Sequence, residues 1–95
     1  MKIEANPERC TLFDRYIEED LRRPGPMDAN LNTGDAYIQV WALVAYWLSN
    51  GRDIDRLAEG YEIPREAAEV AIAYYLEHQA EIDARIERNE RALRA

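Results

Sequence analysis

The chain has 95 residues, 47 % of them hydrophobic and 33 % charged, which is typical of one folded domain and excludes an intrinsically disordered chain. Its 19 acidic residues outnumber 12 Lys and Arg, and the net charge of −7 argues against nucleic acid as a partner of the chain alone. A single cysteine, Cys10, excludes an internal disulfide and a multi-cysteine metal site.

The first third of the chain has no clear helical periodicity, and we expect a separate N-terminal segment over residues 1–34. Residues 14–20 (DRYIEED) fit either a short strand or one helical turn. The Pro and Gly residues at 23–26 predict a turn. Residues 27–31 and 36–38 fit the two strands of a small β-hairpin.

A helical domain is predicted over residues 35–95. Residues 40–50 (VWALVAYWLSN) are apolar on nearly every side, as in a buried helix, and Gly51 follows the last turn of that helix. Asp53 is a good N-cap for a short second helix, and Pro64 suits the first position of a third. The apolar residues on the inner face of the second helix are Ile54, Leu57, Ala58 and Tyr61. This spacing is typical of a helix-turn-helix.

The third helix would be the DNA-reading helix of a helix-turn-helix, but its outward positions are poor in positive charge. They are Pro64, Arg65, Glu66, Glu69 and Val70. Between residues 64 and 78 one Arg stands against three Glu, so phosphates would repel the helix. We therefore expect a tri-helical core with weak or no DNA affinity when the chain is alone. A DNA-binding regulator of its own operon, active once dimerised or partner-bound, stays open as the alternative.

The third helix is predicted to run on without a break towards the C-terminus. Residues 67–76 are apolar around most of its circumference, so we expect the core to end near Leu76 and residues 81–95 to be dispensable for folding. Beyond Glu77 the apolar residues thin to a seam with steps of three and four residues. The predicted partner or dimer interface along it is Tyr75, His78, Ile82, Ile86, Asn89 and Leu93. A narrow seam needs a covering surface, so we expect either a homodimer or a complex with another protein.

No catalytic or metal-binding constellation emerges from the sequence. The acidic residues of the second helix fit helix capping and a solvated face better than a calcium loop, which requires a fixed glycine; they are Asp53, Asp55, Glu59 and Glu62. Glu77, His78 and Glu81 lack the second histidine of a carboxylate-bridged site in a helical bundle. We therefore expect no enzyme, no cofactor and no metal. With no apolar signal core and no apolar run long enough to cross a bilayer, we expect a soluble, cytoplasmic protein that stays off membranes.

Several stretches of the chain resemble the domain of unknown function 433 family. Residues 36–44 (AYIQVWALV) resemble that family's RIPVWALV segment. Residues 63–78 (IPREAAEVAIAYYLEH) and 80–89 (AEIDARIERN) resemble its third helix and tail. Residues 14–20, followed by RRPGP, resemble the leader of one of its subgroups, so the resemblance covers most of the chain.

The resemblance implies a compact tri-helical, winged-helix-like domain after a short β segment, and the function of an antitoxin. Such a protein would bind and silence a PIN-like ribonuclease, which holds its catalytic metals with carboxylates. Four arginines of the tail, spaced by three residues, would face those carboxylates: Arg85, Arg88, Arg91 and Arg94. The alternatives are that these arginines pair with Glu81, Glu87 and Glu90 on a solvated helix, and that the chain is a purely structural homodimeric module.

Two departures from the family pattern bear on the choice of partner. Gln39 stands where the family usually has Pro, and residues 34–36 read Gly-Asp-Ala where the family has Gly-Thr-Arg. If these residues shape a contact loop, the partner will differ from that of other members.

Overall fold

The computed structural model describes the backbone of residues 7–94 and the side chains of residues 12–93. This part of the chain is mainly helical, with a small three-stranded antiparallel sheet. In chain order the elements are α1 (Pro7–Tyr16), β1 (Ile17–Glu18), a 3₁₀ turn (Pro26–Asp28), β2 (Asn30–Asn32), β3 (Tyr37–Gln39), α2 (Val40–Ser49), α3 (Ile54–Tyr61), α4 (Arg65–Glu77) and α5 (Gln79–Arg94).

The N-terminal segment is more regular than the sequence predicts. Helix α1 occupies positions expected to be irregular, and residues 14–20 contain both its last turn and strand β1. Phe13 and Tyr16 lie on the inner side of α1, where Phe13 packs edge-on against Tyr74 of α4 with ring centroids 5.8 Å apart. Residues 1–6 and the side chain of Cys10 lie outside the described residues.

The predicted β-hairpin is present with shifted bounds: β2 and β3 pair in antiparallel register, but the strand expected over residues 27–31 begins only at Asn30, because residues 26–28 form the 3₁₀ turn. Leu31 is opposite Ile38, and on the other side Leu31 is opposite Ile17 of β1, so β2 is the central strand. Leu31 is fully buried in the same core as helices α2 to α5. The boundary expected at residues 34 and 35 therefore falls inside the hairpin loop and separates no structural units.

Helices α2, α3 and α4 form the predicted tri-helical unit. The carboxylate of Asp53 accepts a hydrogen bond from the backbone N–H of Arg56, as expected of an N-cap. Glu62 adopts the left-handed conformation (φ 55°) that ends α3, at a position where Gly is the usual residue. Pro64 is the residue just before α4 and not its first helical residue, a shift of one position.

The prediction of a continuous third helix is wrong, because α4 ends before His78 and a separate helix, α5, follows it. There φ is −132° and ψ is 36°, which ends α4, and the carbonyl of His78 then accepts the N–H of Ile82 in the first turn of α5. The change of direction lays α5 against α2 and the 3₁₀ turn. Ile82 is fully buried, so the core extends into α5 and does not end near Leu76, which is 59 % exposed.

Beyond its packed half, α5 projects from the body. We call residues 87–93 the arm; all of them are exposed except Asn89, which is half-buried. No helix in residues 7–94 is long and apolar enough to cross a membrane.

Candidate protein-binding surface

The residues of the predicted interface seam divide into an inner and an outer group. Tyr75 is 4 % exposed and Ile82 is 0 % exposed, and both belong to the core of the chain itself. Ile86 packs against that core and is half-buried. The prediction that Tyr75 and Ile82 form an interface with a second molecule is therefore wrong, since α5 folds back and covers this part of the seam within the chain.

The outer group of the seam is His78, Asn89 and Leu93. The half-buried imidazole of His78 packs on the ring of Tyr74, with centroids 4.5 Å apart. Asn89 is half-buried, and Leu93 is 80 % exposed. The seam therefore starts in the core at Ile82 and continues onto the arm, where Leu93 is the one large apolar side chain of residues 87–93.

Tyr75 connects α4 to α5 through its hydroxyl, which donates a 2.7 Å hydrogen bond to Oδ1 of Asp83. Burial, followed by the hydrogen bond to Asp83 and the negative charge of that carboxylate, raises the pKa of Tyr75 from 10.0 to about 12. The neutral phenol is the form that the folded chain favours.

This pKa shift predicts a loss of stability at high pH. A group whose pKa is higher in the folded state contributes stability that is complete below the unfolded pKa of 10.0 and is lost as the pH rises towards about 12. In urea unfolding measured from pH 9 to pH 12, Tyr75→Phe should lose less stability with rising pH than the wild type. An identical pH dependence in both proteins would contradict the assignment.

Arg85 points into the fold and not towards a partner. Its Nε lies 3.4 Å from Oδ1 of Asp28 in the 3₁₀ turn, and the two side chains are 15 % and 12 % exposed. Its guanidinium also lies over the ring of Trp41, 4.5 Å from the centroid. The prediction that Arg85 faces a nuclease is therefore wrong, because the guanidinium already neutralises a nearly buried carboxylate of its own chain.

The other arginines of the tail lie on the arm. Arg91 donates to Glu87 at 2.8 Å, an exposed pair one helical turn apart, as the solvated-helix alternative predicts. Arg88 is exposed and makes no ion pair with any side chain of residues 12–93. The side chain of Arg94 lies outside the described residues. Among the tail arginines whose side chains the structure describes, Arg88 is the one without an ion pair.

The sequence analysis does not identify the buried polar residues Asp28 and Asn30, of which Asp28 binds Arg85. Asn30 is 5 % exposed, and its Nδ2 donates to the carbonyl of Asp28 at 3.4 Å and to the hydroxyl of Tyr37 at 3.2 Å. These bonds fix the 3₁₀ turn against the hairpin and hold Asp28 where Arg85 reaches it. The available signal was only two polar residues beside a turn, which is ordinary for a loop.

Two carboxylates on the outer face of α4, those of Glu66 and Glu69, make contacts within the chain. Glu66 accepts a 2.8 Å hydrogen bond from the Tyr16 hydroxyl, which raises the pKa of that tyrosine. Arg65 is bound by Asp55 and by Glu69 at 3.2 Å. Val70, expected to face outward, is 4 % exposed and belongs to the core because α4 is also packed against α1.

The ion pairs of Arg65 and the packing of α1 on α4 both oppose the insertion of α4 into a DNA groove. The one arginine on the outer face of α4 is neutralised by two carboxylates, and α1 covers one flank of the helix near Glu66. A recognition helix needs free donors and a cleared flank to enter a major groove. The geometry of α4 favours a supporting role over DNA contact.

Within the described residues, no group of three or more His, Cys, Asp or Glu side chains is arranged to hold a metal ion. In comparisons with models of known families, with curated proteins and with solved structures, the chain has no match.

Proposed function

We propose that this chain is a small cytoplasmic protein-interaction module that binds a partner protein through the arm, residues 87–93. The observation that carries the proposal is the helix that continues for about two turns, or ~10 Å, past its last core contact at Ile86. The arm extends a helix that its packed half has already nucleated, but its own hydrogen bonds leave it only marginally stable in water, because side-chain packing normally supplies most helical stability. A partner that covers the arm would supply that packing.

The arm carries two Arg and two Glu, and its unpaired arginine suits a protein partner with exposed carboxylates. Arg88 presents a free guanidinium, which binds a carboxylate with two parallel hydrogen bonds. Leu93 offers an apolar anchor one to two turns further along. The acidic chain as a whole, with its net charge of −7, is poorly suited to nucleic acid.

The resemblance noted above gives this partner an identity: a PIN-like ribonuclease, with the chain acting as its antitoxin. In this proposal α2, α3 and α4 form a helix-turn-helix-type, winged-helix-like scaffold that carries the arm and does not itself read DNA. Arg88 and Arg91 approach the metal-binding carboxylates of the nuclease, while Arg85 anchors the base of α5 to Asp28.

The experiment is purification of the tagged chain from its source cells under native conditions, followed by an RNA-cleavage assay of any co-purifying protein. A nuclease in a stoichiometric complex is expected, silent in the complex and active once the chain is removed. A chain that elutes alone, or with a protein without nuclease activity, would contradict the antitoxin proposal.

A charge reversal on the arm tests the contact itself. Arg88→Glu should weaken the Kd for that nuclease by about 10- to 100-fold, since a charge-assisted hydrogen bond is worth roughly 1.5–3 kcal/mol. Arg88→Lys should weaken it less. Arg56→Glu, at an exposed position on α3, is the matched control and should leave the Kd unchanged. Equal effects at Arg88 and Arg56 would mean that only overall charge matters.

A further inference from the structure

The chain presents a second charged surface, formed by the turn at residues 20–25. Oδ1 of Asp20 accepts hydrogen bonds from the backbone N–H groups of Arg22 at 2.7 Å and Arg23 at 3.3 Å. Glu19 accepts from the N–H of Gly25 at 3.1 Å. We call residues 20–25 the arginine turn. Its backbone is held by two carboxylates, so its conformation is fixed before any partner binds.

The side chains of the arginine turn face solvent. Leu21 is 98 % exposed, more than any other large apolar side chain of the described residues. Arg22 and Arg23 are exposed and make no ion pair with side chains of residues 12–93. Because the backbone of the turn is preorganised, binding costs conformational entropy only in the side chains, and Arg is enriched among residues that dominate binding energy.

Helix α4 presents a surface of the opposite charge. One side of α4 carries a group of residues that lie three or four positions apart and end in an adjacent pair, and we call this group the acidic stripe: Glu66, Glu69, Ala73, Leu76 and Glu77. Leu76 is 59 % exposed, and its neighbours on the stripe are carboxylates and one small side chain. The carboxylate of Glu69 is bound through one oxygen only, to Arg65, at a half-exposed position where such pairs contribute little.

We propose that the arginine turn of one molecule docks on the acidic stripe of a second copy of the same chain. The two carboxylates of the turn already accept backbone N–H groups, which leaves the guanidiniums of Arg22 and Arg23 as the charges available beside Leu21. On the solvent side of α4 three glutamates outnumber the one arginine, Arg65. Leu21 would therefore pack on Leu76 while Arg22 and Arg23 reach Glu69 and its neighbours. A two-fold axis makes the contact twice, which doubles the buried area and closes the assembly as a dimer.

This dimer differs from the one that the seam predicts. Tyr75 and Ile82 are buried within each chain and take no part. The arm stays free for the partner of the proposed function, and the two proposals stand or fall separately because they use different surfaces.

The test measures the mass of the purified chain by sedimentation velocity from about 1 to 200 μM at ~0.15 M salt, where the repulsion between two chains of charge −7 is partly screened. We expect a concentration-dependent dimer. Arg23→Glu and Glu69→Arg should each raise the dimer Kd about tenfold or more, and the double exchange should restore it. A wild-type chain that is monomeric throughout, or a double exchange that restores nothing, would overturn the proposal.

Two further variants separate this contact from other routes to a dimer. Leu21→Asp should lower the dimer population without affecting the fold, since the side chain has almost no contacts of its own. A chain ending at Ile86 should dimerise as the wild type does. If removal of the arm abolishes the dimer while Leu21→Asp leaves it intact, the arm is the dimer contact and the proposal is wrong.

Discussion

Replacing Ile82 by alanine should lower the free energy of unfolding by about 2–5 kcal/mol, the range for removing a large aliphatic side chain from a packed core. The side chain is 0 % exposed and fills the space where α5 meets the body of the domain. Because a domain of this size is stable by only about 5–15 kcal/mol, this one change would remove a large share of its stability.

The measurement is urea unfolding followed by circular dichroism, with Leu93→Ala as the matched control on the same helix. Leu93 is 80 % exposed, so its truncation should change the stability by no more than about 0.5 kcal/mol. Equal effects of the two substitutions would mean that the two halves of α5 do not differ in burial, and the division of this helix into a packed part and an arm would fail.

Arg85→Ala should be nearly as damaging, at about 2–4 kcal/mol, since it leaves the carboxylate of Asp28 without its partner in a site where that side chain is 12 % exposed. It also removes the guanidinium from the face of Trp41. Arg91→Ala is the matched control, because its pair with Glu87 is exposed and should contribute well under 1 kcal/mol.

A double-mutant cycle identifies the cause of the Arg85 effect. Asp28→Asn removes the charge that Arg85 neutralises, so Arg85→Ala in that background should cost clearly less than in the wild type. Additive effects of the two substitutions would assign the loss to packing on Trp41 and not to the ion pair.

The features of the fold that the sequence predicts correctly are determined by residues close to one another in the chain. Asp53 caps α3 through an N–H three residues away, and the β2–β3 hairpin closes over a turn in which Thr33 and Asn32 bond the backbone of Ala36 and Gly34. Each of these features can be recognised from a few consecutive residues. Helix α1 was missed because its ten residues are polar on average and owe their structure to packing on α4.

The course of α5 could not be predicted, since it depends on contacts distant in sequence. Arg85 and Asp28 are 57 positions apart, and neither has a neighbour that announces the pair. The periodicity of the seam identifies the apolar face of the helix, but it does not say which part of that face is covered or what covers it. For Ile82 the cover is the chain's own core, and for Leu93 none of the described residues supplies it.

Sequence reasoning about the candidate site was limited by the same ambiguity. Three arginines at equal spacing look equivalent in the sequence, yet Arg85 is buried against Asp28, Arg91 is paired along the helix, and Arg88 faces solvent. Only the fold distinguishes their roles. The exposed Leu21 and Leu76 carry no periodic signal of their own, and their exposure became evident only in three dimensions.

If the arm serves a partner and not the fold, a truncation after Ile86 should separate the two roles. The shortened chain and the full chain are compared for urea stability and for inhibition of the co-purified nuclease in one set of experiments. We expect the stability to change by less than about 1 kcal/mol, because the arm makes few core contacts, and the inhibition to be lost. A truncated chain that unfolds would show that the arm belongs to the fold, and one that still silences the nuclease fully would show that the inhibitory contact lies elsewhere.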